Sequence, residues 1–255
     1  MRQHTVIISS LILCVSACIP NKQLVYLPNP EFNSEAPILV YNRRNVYELQ
    51  PQDVLSVRIK TLDTDTEDYF NIQADGGFQP INPAGLYVNG YSINSRGMIT
   101  LPEVGEVKVG GLTLEQAEAK IKEAVGVYVN NTTIFVKLVS FKVTVLGEVN
   151  SPGYYFIYNE QATVLEVLGI AGDLTDFGNR ENITLVRQTG RGNEAVLLNL
   201  KDPDLLASPY YYLQPNDALY VQPLRAKATR SNLNVLTLIF AGVSTGLLIL
   251  NYIRR

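Results

Sequence analysis

From Leu233 to Ile253 the chain runs for 21 residues without a charged side chain. Wound as a helix at ~1.5 Å per residue, such a run covers the roughly 30 Å hydrocarbon core of a bilayer. Lys227 and Arg230 lie before it, and Arg254 and Arg255 follow it. Residues 226–255 are therefore read as a linker and a C-terminal transmembrane helix. A buried core helix is the alternative, disfavoured because the run follows a charged linker. Within the run, Asn234, Thr237, Ala241, Ser244 and Asn251 recur at steps of three and four, with Leu248 as the apolar member of the series. Those positions share one helix face. Gly242 and Gly246 form a G-x-x-x-G pair, which lets helix backbones approach closely in lipid. Two environments suit that face: a packed contact with copies of the same helix, or a water-filled channel.

The opposite end is also set apart. Arg2 precedes an apolar run from Val6 to Val15, too short to span a bilayer but suited to a signal-peptide core. The run closes on Val15-Ser16-Ala17-Cys18, which resembles a bacterial lipobox; an ordinary signal peptide with a chance cysteine is the competing reading. Residues 1–17 are then a lipoprotein signal peptide and Cys18 the lipid attachment site. Cys14 leaves with the leader, so no disulfide is expected. Residues 18–44 contain Pro20, Pro28, Pro30 and Pro37 and read as an extended tether.

Between these ends the composition is that of a globule: 46% of the 255 residues are hydrophobic and 18% charged, which excludes a disordered chain. The balance of 21 basic against 24 acidic residues leaves no basic excess, so nucleic acid is not an expected partner. Tyr47-Glu-Leu-Gln-Pro51-Gln-Asp53 reads as a turn leading into a strand with Leu55, Val57 and Ile59 on one face. The pattern returns at Tyr211-Tyr-Leu-Gln-Pro215-Asn-Asp217, where Tyr211–Val221 matches Tyr47–Val57 at seven of eleven positions. Residues 60–92 read as a long excursion rich in Asp, Asn, Gly and Pro. A hairpin turning at Gly97 and further β pattern to Val109 follow. Thr113-Leu-Glu-Gln116 is a capping box opening a helix with Leu114, Ala117, Ile121 and Val125 on its apolar face. Residues 132–146 read as strand. A second unit turns at Pro152-Gly153, opens a short helix at the capping box Thr163-Val-Leu-Glu166, and adds strands at 183–187 and 195–200. The body is thus α+β, with one helix per unit.

Three runs resemble the bacterial polysaccharide export domain: Y-x-L-x-P-x-D at 47–53, G-x-I-x-L-P-x-V-G at 97–105 and G-L-T-L-E-x-A at 111–117. Three more resemble the soluble-ligand-binding β-grasp (SLBB) domain: V-x-G-E-V-x-x-P-G-x-Y at 145–155, T-x-x-E-x-L-x-x-A-G at 163–172, and L-x-P-x-D at 213–217. Their order, with the lipobox and the terminal helix, resembles the Wza-like outer-membrane polysaccharide export lipoproteins. The resemblance implies an export domain at 45–141, one β-grasp domain at 142–225, and a lipid-anchored outer-membrane protein with its body in the periplasm. It further implies a homo-oligomeric ring exporting capsular or extracellular polysaccharide, and an inner-membrane polysaccharide copolymerase or chain-length regulator as partner. A membrane-anchored carbohydrate-binding scaffold without a pore is the alternative. Three departures stand out: Gln52 and Asn216 occupy positions where glycine is usual before the aspartate, Gly172-Asp173 replaces a glycine pair, and only one β-grasp copy fits.

No catalytic or metal-binding constellation is expected. His4, the chain's one histidine, lies in the leader. Asp53 and Asp217 are read as turn residues bonding their own backbone rather than as an acid pair. Glu103, Glu106, Glu115, Glu118 and Glu123 are read as a solvated face. Tyr210, Tyr211 and Tyr212 suit either stacking on sugar rings or packing in an oligomer. No cofactor is expected.

Overall fold

The computed structural model describes residues 24–29, 32, 37–42, 45–61, 85, 89–190 and 192–254, apart from the side chains of 226, 228–239 and 247. The leader, Cys18 and most of the 60–92 excursion lie outside the described residues.

The first unit forms around β1 (Val54–Lys60), whose alternation sends Leu55, Val57 and Ile59 inward. It is flanked antiparallel by β2 (Tyr91–Ser92) and β5 (Thr133–Leu138). A hairpin of β3 (Met98–Leu101) and β4 (Gly105–Lys108) and one helix, α1 (Leu114–Val125), close the core. The capping box at the start of α1 is reciprocal: Gln116 N–H donates to Thr113 Oγ1 at 3.3 Å, and Thr113 N–H donates to Gln116 Oε1 at 3.0 Å. Ala117, Ile121 and Val125 are buried as the 3.6-residue period requires.

The span 132–146 is not one strand. It breaks after Leu138, and β6 (Lys142–Gly147) starts a second sheet. The cause is local. Val139 N–H still donates to Val54 O, but Ser140 turns its hydroxyl back to accept from Val54 N–H at 3.0 Å, and Phe141 enters the second core. The β-branched run is continuous in sequence while its two halves serve different cores.

The second sheet has the order β10-β9-β12-β6-β7, where β7 is Gly153–Phe156, β9 Gly178–Thr189, β10 Gly192–Leu198 and β12 Ala218–Pro223. Its centre is mixed, with β12 parallel to β6 and antiparallel to β9. A short ladder pairs β8 (Ala162–Thr163) with β11 (Tyr212–Leu213), and α2 (Val164–Ile170) packs beneath. The core of Val143, Val145, Leu168, Leu185 and Leu219 is separate from that of the first unit; Leu138 touches both.

The described parts of the tether make contacts with the body. Leu27 N–H donates to Leu200 O at 2.9 Å. The Tyr26 hydroxyl donates to Asp173 Oδ1, and the Arg180 guanidinium lies 5.1 Å from the Tyr26 ring centre. Further along, Asn42 Nδ2 donates to Leu206 O at 2.6 Å and Ser208 O at 3.0 Å. Both contacts are with the second unit, so the chain lies along that unit before building the first.

After β12 the chain enters α3 (Arg225–Ile253), a helix of 29 residues. Its described side chains from Phe240 to Ile253 are exposed around the helix, with Gly246 half-buried. Among the described residues, no helix is long and apolar enough to cross a membrane. The side chains of 228–239, which carry much of the charge-free run including Asn234 and Thr237, lie outside them.

Candidate functional site

The two copies of the turn motif adopt one backbone geometry. Gln52 and Asn216 have φ of 78° and 66°, and Asp53 and Asp217 N–H each donate to the carbonyl three residues earlier at 3.1 Å. Proline at the second position and positive φ at the third define a type II turn. Glycine is not required there: Gln52 and Asn216 hold the left-handed backbone, at some strain for glutamine and little for asparagine. The outer bonds repeat as well. Gln52 N–H donates to Ile93 O and Ile93 N–H to Asp53 O, while Asn216 N–H donates to Lys142 O and Thr144 N–H to Asp217 O. Each aspartate Oδ2 accepts from the backbone N–H three residues before it, Gln50 at 2.9 Å and Gln214 at 2.7 Å.

The copies differ in what answers the buried carboxylate. Asp217 receives a two-pronged contact from Arg187, Nε to Oδ1 at 3.0 Å and Nη2 to Oδ2 at 2.7 Å, and both side chains are buried. Among the described residues, no cation pairs with Asp53. Its donors are the Tyr47 hydroxyl at 2.8 Å, Gln50 N–H and, at 3.4 Å, the Ser140 hydroxyl. Burial pushes both carboxyls above the ordinary value near 3.8, at Asp53 against the lowering pull of those hydrogen bonds and at Asp217 against that of Arg187. A carboxyl whose folded value is raised binds its proton more tightly in the folded chain, so stability falls as pH rises from 3.8 through the folded value. The thermal midpoint of the first unit is expected to be higher near pH 4 than near pH 7, and Asp53→Asn should flatten that difference. An Asp53→Asn melting profile that keeps the wild-type pH dependence would contradict it.

Between the units lies a cleft of about 580 Å³, lined by Tyr47, Thr113, Tyr158, Gln161, Tyr212 and Gln214 among others. Lys137 and Glu160 face each other at its mouth at 2.7 Å, an exposed pair of little energetic weight. Of the three consecutive tyrosines, Tyr212 reaches this cleft. Tyr210 and Tyr211 pack against the second core, with the Tyr210 hydroxyl bonded to Glu194 at 2.6 Å. Tyrosine faces and side-chain amides line this cleft alongside Glu115, Lys137 and Glu160, and are suited to a polyhydroxylated ligand. Among the described residues, no group of His, Cys, Asp and Glu is placed to hold a metal.

The segments that flank the body, at Tyr26 and at residues 224–227, meet one end of the second unit. Tyr26 docks at Asp173, Leu224 N–H donates to Phe177 O at 2.7 Å, and Lys227 pairs with Glu148, which also accepts from Thr175. Lys227 thereby holds the Glu148 carboxyl below its ordinary value. Pro152 and Gly153 lie in the neighbouring β6–β7 turn, where Gly153 pairs with Val145 and Asn150 Nδ2 donates to Gly172 O at 2.7 Å. Asp173, with φ 68°, stands where the second glycine was expected and supplies the carboxylate that Tyr26 needs. On α3, Ala241, Gly242, Ser244 and Asn251 are exposed; the Ser244 and Thr245 hydroxyls donate to Ala241 O at 3.0 and 2.8 Å. Cys18, Asn234 and Thr237 lie outside the described residues or side chains.

Sequence reasoning missed Arg187 and Tyr26. Arg187 was detectable, since Ile183, Leu185 and Arg187 alternate onto the buried face. Tyr26 sits among prolines and shows no periodicity that would reveal its docking.

Comparison with known proteins follows the same division. Residues 42–139 match the polysaccharide biosynthesis/export protein family and residues 142–197 the SLBB domain. The structure carries the second sheet past that match, because β12 is its central strand. The EPS I polysaccharide export outer membrane protein EpsA of Ralstonia nicotianae is 31% identical over 104 residues, covering 39% of this chain and 27% of that protein. EpsA of Ralstonia solanacearum is 29% identical over 104 residues, covering 39% of this chain and 28% of its own. The chain thus spans about a quarter of the length of these curated relatives. An export domain followed by an SLBB domain makes the chain similar to the Wza-like polysaccharide export proteins, which are transport proteins.

Proposed function

We propose that this protein is an outer-membrane lipoprotein that exports capsular or extracellular polysaccharide through a homo-oligomeric channel. The observation that carries the reading is the convergence of Tyr26 and residues 224–227 on one end of the SLBB unit, in a chain that carries these two domains. A lipid on Cys18 lies eight residues from Tyr26, and an extended chain of that length reaches at most about 29 Å. The lipid and α3 then enter the same membrane side by side, leaving the export domain in the periplasm toward an inner-membrane copolymerase or chain-length regulator. Mass spectrometry of the mature protein should find Cys18 as a lipidated first residue, and Cys18→Ser should leave precursor uncleaved.

In the ring, copies of α3 surround the pore. Asn234, Thr237, Ala241, Ser244 and Asn251 face water, because an amide in hydrocarbon costs roughly 2–7 kcal/mol if unpaired. The hydroxyl of Ser244 is already satisfied within its own helix, so Asn234 and Asn251 set the orientation. Labelling of single cysteines with a water-soluble thiol reagent tests this in the assembled protein. Ser244→Cys and Thr237→Cys should react while Ile239→Cys stays protected; loss of the gene should trap polymer inside the cell. The tyrosine- and amide-lined cleft favours a second reading, a carbohydrate-binding scaffold that forms no pore. Equal protection of all three cysteines would select it, with Gly242 and Gly246 then packing helix against helix.

A further inference from the structure

The channel reading draws on the membrane end of the molecule and leaves the cleft between the units without a role. One wall of that cleft is built by Tyr47 and the first turn of α1, the other by Tyr158 and Tyr212. The units that carry these walls are joined through residues 139–141 and keep separate cores, touched in common by Leu138. A second hollow of about 440 Å³ adjoins the cleft. It is lined by Lys137, Tyr158, Asn159, Glu160 and Gln161, every one of which lines the cleft as well. The two hollows are continuous through those residues, which suits a chain of rings better than a single ring.

We infer that the cleft holds a short stretch of the exported polysaccharide outside the pore, with Tyr158 and Tyr212 as the residues that stack on it. The inference rests on the export reading above, and it makes export and saccharide binding two properties of one molecule rather than alternatives. A pyranose ring presents an apolar C–H face and a rim of hydroxyls. Both are answered here. Tyr158 is 76% exposed, so its ring is offered to a ligand rather than to the core. Tyr212 lies edge-on to Tyr211 at 5.3 Å, which fixes its ring in the opposite part of the second unit's wall. Tyr47 contributes a ring surface only, because its hydroxyl is committed to Asp53. Among the described residues, the side-chain amides of Asn159, Gln161 and Gln214 have no hydrogen-bond partner, and an amide both donates to and accepts from a sugar hydroxyl. Stacking on ring faces depends little on which hydroxyls are axial, so the site tolerates successive residues of a moving chain.

Saturation-transfer NMR tests the site on the full chain, held in a detergent without a sugar headgroup. The probe is the set of oligosaccharides released by partial hydrolysis from the producing cells' own surface polymer. Saturation should pass from the protein to their ring protons, and Tyr158→Ala and Tyr212→Ala should each weaken binding by about fivefold or more. Tyr158 is an exposed loop residue, so its variant should keep the wild-type melting profile. Tyr154→Ala is the control: that ring is 68% exposed but lies outside both hollows, and its loss should leave binding unchanged. Chitohexaose, an N-acetylated glycan of cell-wall type, separates the two sources of such a ligand and should bind more weakly than the hydrolysate. No transfer to the hydrolysate, or a Tyr158→Ala that binds as wild type does, overturns the cleft assignment and leaves export standing if loss of the gene still traps polymer. Tighter binding of chitohexaose overturns the exported polymer as occupant. Polymer that still reaches the surface after loss of the gene overturns the export reading and the inference with it.

Discussion

Asp217→Ala is expected to destabilise the second unit by about 3–5 kcal/mol, because it strands the Arg187 guanidinium in a buried site. That loss is a large share of the 5–15 kcal/mol by which a domain is typically stable. Arg187 keeps one other acceptor, Tyr212 O at 3.1 Å, and stacks 5.5 Å from the Tyr210 ring, neither of which neutralises it. The carboxylate also holds Gln214 N–H, so the turn that starts β12 loosens in the same variant. Asp53→Ala is the internal control. It removes the equivalent turn carboxylate where no cation depends on it, and should cost about 1–2 kcal/mol, as for a lost hydrogen-bonding group. Urea unfolding followed by circular dichroism measures both. Equal losses in the two variants would mean that the Arg187 pair is not what distinguishes the copies.

Gly147→Ala is expected to be the next most damaging change, at about 2–4 kcal/mol. Gly147 ends β6 with φ 89°, and a Cβ there would lie 2.1 Å from Val221 O on the neighbouring strand β12. The same carbonyl accepts from Glu148 N–H at 3.0 Å, so the seam cannot simply shift aside. At Gly105, φ is 85° but nothing lies within 4 Å of the added carbon. Gly105→Ala therefore bears the backbone strain alone, and a melting comparison of the two separates strain from collision. Similar midpoints would argue that the approach of β12 to β6 is less tight than drawn.

The units, their helices and the repeated turn were legible because each is coded locally. The capping boxes at Thr113 and Thr163 open helices where expected, and Leu55, Val57 and Ile59 alternate onto a core. What escaped was long-range. Nothing near residue 140 in sequence says that Ser140 will turn to Val54, so a run of β-branched residues reads as one strand when it is two. The meaning of Asp217 was half visible: its turn was read from Pro215, but its partner lies thirty residues away. The docking of Tyr26 and Asn42 was not legible either, since prolines that suggest an extended chain do not indicate which surface its neighbours will bond. Of the cleft, Tyr212 was among the three tyrosines singled out, while Tyr158 and Gln161 come from a loop with no pattern of its own.

That tether has a consequence for the order in which the molecule comes together. Tyr26 meets Asp173 across a separation of 147 residues, and Asn42 meets Ser208 across 166. The export domain is therefore an insert, strung between a short segment and the sheet that receives it. Contacts of such range require a large loop to be closed before they return any stabilisation. The segment synthesised first finds its place last, after the second unit has formed Asp173, Arg180 and Leu200 into a surface.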